Sequence, residues 1–239
     1  MLGLEGTKEY WKDQTEKGDN PCHYHNYWQD RYAYEVRTGA LKKSDFADAK
    51  EIVDIGCGVG EYTRYVAGLT KAHITGFDFP FNIKLAQKTD NLGGRLTYID
   101  DALPSERVAT AIRAADVIYT TTVYVHLPPE ARTMLLEASS QMKKGSKVIL
   151  LEYIPDEVPE FQKGLPHKEV ETVSEIASKF EKVGFELSEI RPVNYVDSYF
   201  FFRFGKNGFS YALTRVGDFL LSLVRAKGSK YKVLIFTHT

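Results

Sequence analysis

The chain has 239 residues, of which 43% are hydrophobic, and this is enough for one large domain with a buried core. Its 31 basic and 32 acidic residues give a net charge of −1, so no overall field would draw it to nucleic acid or to an anionic membrane. The two cysteines are too few for a disulfide framework, and no segment resembles a signal peptide or a membrane span. We therefore expect a cytoplasmic protein.

The middle of the chain alternates short apolar runs with segments of helical length. The apolar runs predict strands at Glu51–Ile55, His73–Phe77, Leu96–Ile99, Asp116–Thr120 and Lys147–Leu151. Helices are predicted between them, at Glu61–Leu69, Phe81–Lys88 and Glu130–Met142. A later helix ends at Gly184 and precedes a sixth strand, and residues 231–239 predict a seventh. This alternation indicates an α/β fold with a largely parallel sheet and helices on both faces.

Two regions lie outside this alternation, and both are aromatic. Residues 1–45 are expected to form a helical lid, and residues 195–229 a helical insert between a core of residues 46–194 and a last strand at 230–239. In the insert, apolar residues at helical spacing predict an amphipathic helix that either covers a pocket or joins two subunits. These residues are Phe209, Leu213, Val216, Leu220 and Leu223. No internal repeat or linker appears, so one domain spanning 1–239 is expected.

A glycine-rich turn follows the first strand in the stretch EIVDIGCGVGEYT. Dinucleotide-binding folds use G-x-G-x-x-G and bind pyrophosphate at the N-terminus of the following helix. Here Gly56, Gly58 and Gly60 are spaced two and two, and Glu61 occupies the position of the third glycine. A carboxylate in the first turn of that helix would repel a pyrophosphate. The turn therefore favours a cationic ligand without phosphate, such as S-adenosylmethionine.

Several segments in order resemble the class I S-adenosylmethionine-dependent methyltransferases. The matching segments are VDIGCGVG, ITGFDFP, YIDDALP, ADVIYTTTVYVHLPPE and MKKGSKVILLEY, which together cover about residues 50 to 155. The resemblance implies a Rossmann-like, doubly wound seven-stranded sheet with a reversed last strand. It also implies S-adenosyl-L-methionine as cofactor and S-adenosyl-L-homocysteine as product.

The resemblance assigns cofactor-binding roles to residues after the first four strands. Asp78 would bind both ribose hydroxyls, and Asp101 with Ala102 would contact the adenine. Asp101 could instead cap the next helix, or Asp100 could make the ligand contact in its place. The residue chemistry agrees, since a carboxylate offers two acceptor oxygens to two vicinal hydroxyls. The remaining candidates are Asp54 for the cationic ammonium, Gly56 and Gly58 for close backbone approach, and Thr120 at the end of the fourth strand.

Methyl transfer requires a base only when the acceptor must lose a proton. His126 follows the fourth strand and is the candidate general base, although the same imidazole could serve structure alone. Tyr124 is a candidate for lining the same spot. Cys57 is expected to be a packed residue of the turn, and no second Cys or His pair accompanies the CHYH stretch at residues 22–25, so no metal is expected.

The acceptor site is expected in the lid and the insert, because a shared scaffold varies its function through such appendages. The candidates for acceptor contact are Tyr27, Trp28, Arg31, Tyr124 and Tyr199. Aromatic walls suit a small organic acceptor that is methylated on oxygen or nitrogen. The alternatives are a protein or peptide amino-group N-methyltransferase and, less favoured, a regulatory protein that binds the cofactor without catalysis. No nucleic-acid partner is expected, and both a monomer and a homodimer are compatible with the sequence.

Overall fold

The computed structural model describes residues 4–16, 27–89, 91–160, 169–196, 199–223 and 229–239. A seven-stranded sheet forms the centre, in the order β3-β2-β1-β4-β5-β7-β6. Its strands are β1 Glu51–Ile55, β2 His73–Asp78, β3 Leu96–Asp100, β4 Val117–Thr121, β5 Lys147–Tyr153, β6 Phe185–Asn194 and β7 Tyr231–His238. The helices are α1 Leu4–Glu16, α2 Tyr27–Ala40, α3 Glu61–Leu69, α4 Pro80–Ala86, α5 Glu106–Ala114, α6 Pro129–Ser139, α7 Val173–Glu181, α8 Tyr199–Phe204 and α9 Gly208–Leu223.

Strands β1 to β5 run parallel, and β7 lies antiparallel between β5 and β6. The predicted fold class, with its reversed last strand, is confirmed. Chain order changes direction at β1, which pairs with β2 on one side and β4 on the other. In open α/β sheets the carboxyl edge at such a point is where ligands bind. The glycine turn leaves β1 at this edge.

Helices cover the sheet on both faces because the strands are apolar on both sides. Strand β4 is buried at all five positions. One core cluster joins the sheet to α5, α6 and α7, and it contains the fully buried Phe180 and Leu135. The other joins the sheet to α3, α4 and the segment after α2, where Phe46 packs edge-on against Tyr119.

The sequence predicted the core elements closely. The bounds of β1 and α3 agree with the predicted ranges, while α4 and α6 begin and end up to three residues earlier. The helix starts show ordinary capping: Ser105 accepts the Arg107 amide at the start of α5, and Thr172 forms a capping box with Glu175 at the start of α7. In the described residues no helix is long and apolar enough to cross a membrane.

The N-terminal helices lie along the carboxyl edge of the sheet. Helix α1 contacts α4, which begins two residues after Asp78. In α2, the ring of Tyr34 lies 5.7 Å from that of Tyr62 in the first turn of α3. The same helix also contacts α9 and β6. The predicted lid and insert therefore pack on each other.

Helix α9 forms where the periodicity of apolar residues predicted a helix, but its apolar side faces away from the protein. Ser210 and Thr214 are fully buried, whereas the apolar residues that defined the predicted face are mostly exposed. Phe209, Val216, Leu220 and Leu223 are 55–64% exposed. The sequence pattern locates the helix, but it assumes that the apolar face points toward the core, and here the small polar face does.

Candidate active site

Three glycines give the turn after β1 its shape. Gly56, Gly58 and Gly60 all have positive φ angles, of 73°, 56° and 81°. This conformation is strained for residues with a Cβ atom, which explains why glycine occurs at each position. The Gly56 and Cys57 amides both donate to the Phe77 carbonyl, at 2.8 and 3.1 Å, and thereby hold the turn against β2.

The space around the glycines distinguishes their roles. A Cβ at Gly56 would lie 2.5 Å from both methyl groups of Val123, and one at Gly60 would lie 2.5 Å from the Tyr98 hydroxyl. A Cβ at Gly58 would meet nothing within 4 Å. The sequence predicted that Gly56 allows close approach to a ligand. In the structure, the space beside Gly56 is occupied by Val123 of the loop after β4. Gly58 alone faces open space, so it is the position where a cofactor can approach the backbone.

Asp54, near the end of β1, is buried beneath the turn. Its Oδ2 accepts hydrogen bonds from the Thr63 and Tyr119 hydroxyls, each at 2.7 Å. Burial raises the pKa of this carboxyl to about 7, with a further contribution from the charge of Asp78, although the two hydroxyl donors oppose the shift. The side chain is only 1% exposed, so its effect on a bound ammonium would be electrostatic and not a direct, solvent-open contact.

Asp78 ends β2 and anchors the same turn. Its Oδ2 accepts the Gly58 amide at 2.7 Å, while its Oδ1 accepts the Phe79 amide and the Asn82 side chain, also at 2.7 Å. Burial raises the pKa of this carboxyl as well, because these donors offset only part of the desolvation. Each carboxylate oxygen has two lone pairs, so Oδ2 retains acceptor capacity for a ribose hydroxyl. Asp78 also shapes the turn that would hold the cofactor.

Glu152 is a buried carboxylate that the sequence analysis did not single out. Its Oε1 accepts the Thr120 hydroxyl at 2.7 Å and the Val123 and Tyr124 amides at 2.9 Å each, while its Oε2 has no hydrogen-bond partner among the described residues. Burial raises the pKa of this carboxyl. The sequence could have indicated this residue, because it is the one acidic residue in the apolar run VILLEY. A charged side chain inside a buried strand is seldom found without a bonding partner.

Glu152 links the loop after β4 to the cofactor turn. The loop passes through Thr122, a non-glycine residue with a φ of 58°, and the Thr122 amide donates to the Leu151 carbonyl. Val123, held by Glu152, is the residue that packs on Gly56. Thr120, a predicted cofactor contact, is 1% exposed and donates to Glu152, so the structure gives it a role in fixing this loop.

The loop carries His126 at the end of a short 3-10 turn, Tyr124–His126. His126 is half-buried, and its amide donates to the Val123 carbonyl at 2.8 Å. Tyr124 is fully buried: Arg132 lies 4.8 Å above its ring, and Phe180 packs beside it. Tyr124 therefore belongs to the core on the α6–α7 face, which corrects the expectation that it lines the acceptor pocket.

Asp101 bonds locally in this structure. Its Oδ1 accepts the Ala102 amide at 2.9 Å, and its Oδ2 accepts the hydroxyl of Ser105, the N-cap of α5, at 2.7 Å. This is the helix-capping alternative raised by the sequence. Asp100 is exposed and pairs with Asp78 in the β2–β3 register. Both residues, with the half-exposed Ala102, lie at the carboxyl edge beside β2, where an adenine contact is predicted.

The predicted acceptor contacts lie in the lid and insert. Tyr27 and Tyr199 are 64% and 63% exposed. Arg31 forms an ion pair with Glu35 at 2.8 Å on the helix surface. Trp28 packs on Tyr211 of α9 and against Gly208.

A narrow cleft separates the middle of α2 from the ends of β6 and β7, at the same edge of the sheet. Its lining residues are Tyr32, Ala33, Val36, Arg37, Val193, Asn194 and Tyr231. The lid therefore lies close against this end of the sheet.

Three buried carboxyl groups thus surround the carboxyl edge at β1, β2 and β5. Within the described ranges, none of Asp54, Asp78 and Glu152 forms an ion pair. Buried carboxyls without cations are costly, and such groups are concentrated at functional sites. No group of three possible metal ligands occurs in this part of the chain, whereas residues 22–25 lie outside it. The Cys57 thiol is buried, which raises its pKa and argues against a nucleophilic role.

Comparisons with known proteins find a methyltransferase domain and the same fold. Residues 52–145 match the family model of a methyltransferase domain. An O-methyltransferase of a trans-AT PKS multienzyme from Brevibacillus brevis, in complex with S-adenosyl-L-homocysteine, is 18% identical with a TM-score of 0.57, over 89% of this chain and 74% of that one. An O-methyltransferase family protein from Burkholderia thailandensis is 17% identical with a TM-score of 0.61, over 88% and 57%. The [4+2]-cyclase SpnF is 15% identical with a TM-score of 0.63, over 96% and 94%. No curated protein matches the chain.

The family match covers the glycine turn, Asp78 and the loop of His126, which are the parts that form the site. Residues 52–145 therefore constitute a methyltransferase domain. The match covers less than half of the chain and is to a methyltransferase domain, and the Brevibacillus brevis O-methyltransferase of similar fold was solved with S-adenosyl-L-homocysteine. The structural neighbours, all under 25% identical, show the fold, and the cyclase among them shows that this fold is not confined to one reaction.

Proposed function

We propose that this protein transfers a methyl group from S-adenosylmethionine to an oxygen or nitrogen of a small organic acceptor. The observation that carries the proposal is the group of buried carboxyls, without ion pairs, around a glycine turn whose central residue, Gly58, faces open space. A cationic, phosphate-free ligand complements such a site, whereas a pyrophosphate would be repelled by it. Several structural neighbours are named as O-methyltransferases.

The residues that would hold the cofactor are those of the turn and of the edge beside it. Gly58 would allow the backbone to approach, Asp78 would accept a ribose hydroxyl, and Asp54 would stabilise the ammonium through the field of its carboxylate. Asp101, Ala102 or Asp100 would contact the adenine. When bound, the cofactor supplies an electrophilic methyl group on a sulfonium with a good leaving group. The protein has to align the acceptor, exclude water and, for a phenol or ammonium, accept a proton.

His126 is the proposed base. It lies two residues after Tyr124, on a loop held to β5 by Glu152 and to the glycine turn through Val123. A base has to be held at a fixed distance from the acceptor, and these two contacts restrict the loop that carries it. In its neutral form the imidazole would accept the acceptor proton as the methyl group is transferred.

The lid and insert are proposed to enclose the acceptor. Trp28 of α2 contributes half-buried aromatic surface, while the buried rings of Tyr32 in α2 and Phe201 in α8, whose centres are 5.9 Å apart, join the lid to the insert. Aromatic surfaces with a few polar groups suit a small, apolar acceptor. The same proposal includes a cytoplasmic location and no nucleic-acid partner. It divides the chain into lid (1–45), core (46–194), insert (195–229) and last strand (230–239).

The test is methyl transfer with labelled cofactor. The purified chain is incubated with radiolabelled S-adenosylmethionine and a panel of phenols, hydroxy acids, aromatic amines and short peptides, and S-adenosylhomocysteine is quantified. We expect turnover with at least one small hydroxylated or aminated compound. Methylation of peptide α-amino groups alone would favour the peptide N-methyltransferase. Cofactor binding with no turnover across the panel would contradict the proposed enzyme and favour a regulatory protein.

A further inference from the structure

Helix α9 presents its apolar side to solvent and its small polar side to the protein. Ser210 and Thr214 are fully buried. The exposed side continues onto α8 through the contact between the Phe204 and Phe209 rings, whose centres are 6.1 Å apart. We call these exposed residues the apolar face: Tyr199, Phe202, Phe204, Phe209, Val216, Phe219, Leu220 and Leu223, which are 48–82% exposed.

Specific contacts hold the helix in this orientation. Asp218 accepts the Tyr195 and Val196 amides at 2.7 and 2.8 Å and is also bonded by the Tyr32 hydroxyl. Gly217 packs so closely on Val196 that a Cβ there would lie 2.8 Å from a methyl group. Rotating α9 to bury its apolar residues would break these bonds and place larger side chains against Val196. The orientation is thus a property of the packed structure.

An exposed apolar surface of this size usually marks an interaction site. The charges beside it indicate the kind of partner. Residues 199–230 contain six basic residues and one acidic residue, Asp218, which faces inward, although the whole chain has a net charge of −1. Arg203 lies at the edge of the face, with its guanidinium 5.9 Å from the Phe204 ring centre, whereas Arg215 is paired with Glu35 of α2 at 3.9 Å. The segment that carries the apolar face is therefore basic in sequence, and Arg203 places positive charge directly beside the face.

Aromatic and leucine side chains bordered by arginine and lysine match the interface of an anionic bilayer. The apolar side chains would enter the boundary between headgroups and acyl chains, while the basic side chains would contact lipid phosphates. A second copy of the chain is a poorer match, because pairing two such faces would bring two basic segments together. A neutral small molecule would leave the basic residues unused.

We propose that the α8–α9 hairpin is a docking surface for an anionic phospholipid membrane, with α9 lying in the plane of the interface. Over its described residues, Gly208–Leu223, the helix is too short to span a bilayer, and we propose a peripheral attachment. The expectation from net charge, that no overall field draws the chain to a membrane, concerns the chain as a whole and does not apply to a locally basic segment. This proposal does not depend on which acceptor is methylated.

The experiment is co-sedimentation of the full chain with vesicles. One set contains phosphatidylcholine alone, and the other contains about one third phosphatidylglycerol, which supplies the anionic charge. We expect binding to the anionic vesicles that weakens at high salt, with much weaker binding to the neutral ones. Absence of binding to anionic vesicles would overturn the proposal. Equal, salt-insensitive binding to both sets would also contradict it, because the basic residues would then contribute nothing.

Matched variants locate the surface. The double substitution Phe219→Ser with Leu220→Ser should raise the lipid concentration for half-binding by at least about tenfold, the expected effect of removing two apolar side chains from the interface. Arg203→Gln with Lys206→Gln should raise it by roughly fivefold or more on anionic vesicles only. The control Ile190→Ser removes a half-exposed apolar residue of β6, outside the face, and should bind as the wild type does.

Two results would contradict the proposal even if the wild type binds vesicles. The first is unchanged binding by the Phe219/Leu220 variant while its circular dichroism and thermal transition match the wild type. The second is a concentration-dependent dimer in light scattering that this variant abolishes, with equal vesicle binding by both proteins. That outcome would assign the face to a second copy of the chain.

Discussion

The turn after β1 buries ionisable groups, whereas helix α9 exposes apolar ones. Both arrangements are the reverse of ordinary packing. At the turn, the carboxyl groups of Asp54 and Asp78 are buried and held by neutral donors. On α9, large apolar side chains are exposed while Ser210 and Thr214 are buried. Each arrangement costs stability in the isolated chain. Under the two proposals made above, both regions act on something outside the chain: a cationic ligand at the turn and an anionic membrane at α9.

The largest effect is expected at His126, the proposed base. His126→Ala should lower turnover of the best acceptor by about 10²–10⁴-fold, because the acceptor proton would lose its base. The affinity for S-adenosylhomocysteine, measured by calorimetry, should change little. A variant with wild-type turnover across pH 6–9 would assign His126 to structure alone.

Glu152 tests whether the buried carboxyls are held by the donors described. Glu152→Leu leaves the Thr120 hydroxyl and two amides without an acceptor, so it should lower the free energy of unfolding by about 2–4 kcal/mol. The matched variant Glu152→Gln keeps an acceptor oxygen and should lose roughly 1 kcal/mol or less. Urea denaturation measures both. Equal losses would mean that the charge, and not the acceptor, stabilises the loop.

Asp78 tests the predicted ribose contact. Asp78→Ala should weaken binding of S-adenosylhomocysteine by about 1–3 kcal/mol, which calorimetry would record as a roughly 5- to 150-fold higher Kd. Asn82→Ala is the control for indirect effects, since it removes one of the side-chain donors to Asp78 and leaves the carboxylate in place. If both variants bind equally weakly, Asp78 acts through the shape of the turn.

The pKa of Asp54 predicts how stability depends on pH. Because this pKa is raised to about 7 from 3.8, the folded state binds a proton more readily than the unfolded state between these values. Its contribution to stability is therefore present below pH 3.8 and is lost as the pH rises through 7.

Asp54→Asn keeps an acceptor for Thr63 and Tyr119 but cannot ionise, so it isolates this titration. Relative to the wild type, its Tm should rise between pH 5 and 8 by on the order of 2–4 °C for each kcal/mol of linkage. A constant difference in Tm across this range would show that Asp54 does not titrate there.

The smallest effects test the orientation of α9. Leu220 is 56% exposed, so Leu220→Ser should change the free energy of unfolding by no more than about 0.5 kcal/mol. Ser210 is fully buried, so Ser210→Leu should cost about 1–3 kcal/mol through overpacking. Thermal denaturation of the two variants decides between the orientations. The reverse order of effects would mean that the apolar face is the buried one.

The sequence was sufficient for the fold because its core strands and helices carry local signals. The branched apolar residues of β1 and the glycines after it predict a strand followed by a turn, and the structure keeps those bounds. The contacts around the site required the structure. Nothing in the local pattern shows that Val123 occupies the space above Gly56, or that Glu152 binds the same loop, because these residues meet only through the parallel pairing of β4 with β1 and with β5.

The orientation of α9 could not be predicted for a related reason. Helical periodicity identifies an apolar side but does not say which side faces the protein. That choice depends on Asp218 and Gly217, whose partners Tyr195 and Val196 lie just beyond the end of β6. Tyr124 shows the same limit, because its ring points into the core although its position in the chain adjoins the site.

The carboxyl edge around Gly58 and Asp78 is expected to bind a phosphate-free nucleoside that carries an ammonium group. Isothermal titration of the full chain with S-adenosylhomocysteine, and separately with NAD, tests it most directly. We expect S-adenosylhomocysteine to bind saturably at one site per chain. Titration with NAD should give no heat beyond its heat of dilution. Saturable binding of NAD with no response to S-adenosylhomocysteine would contradict it.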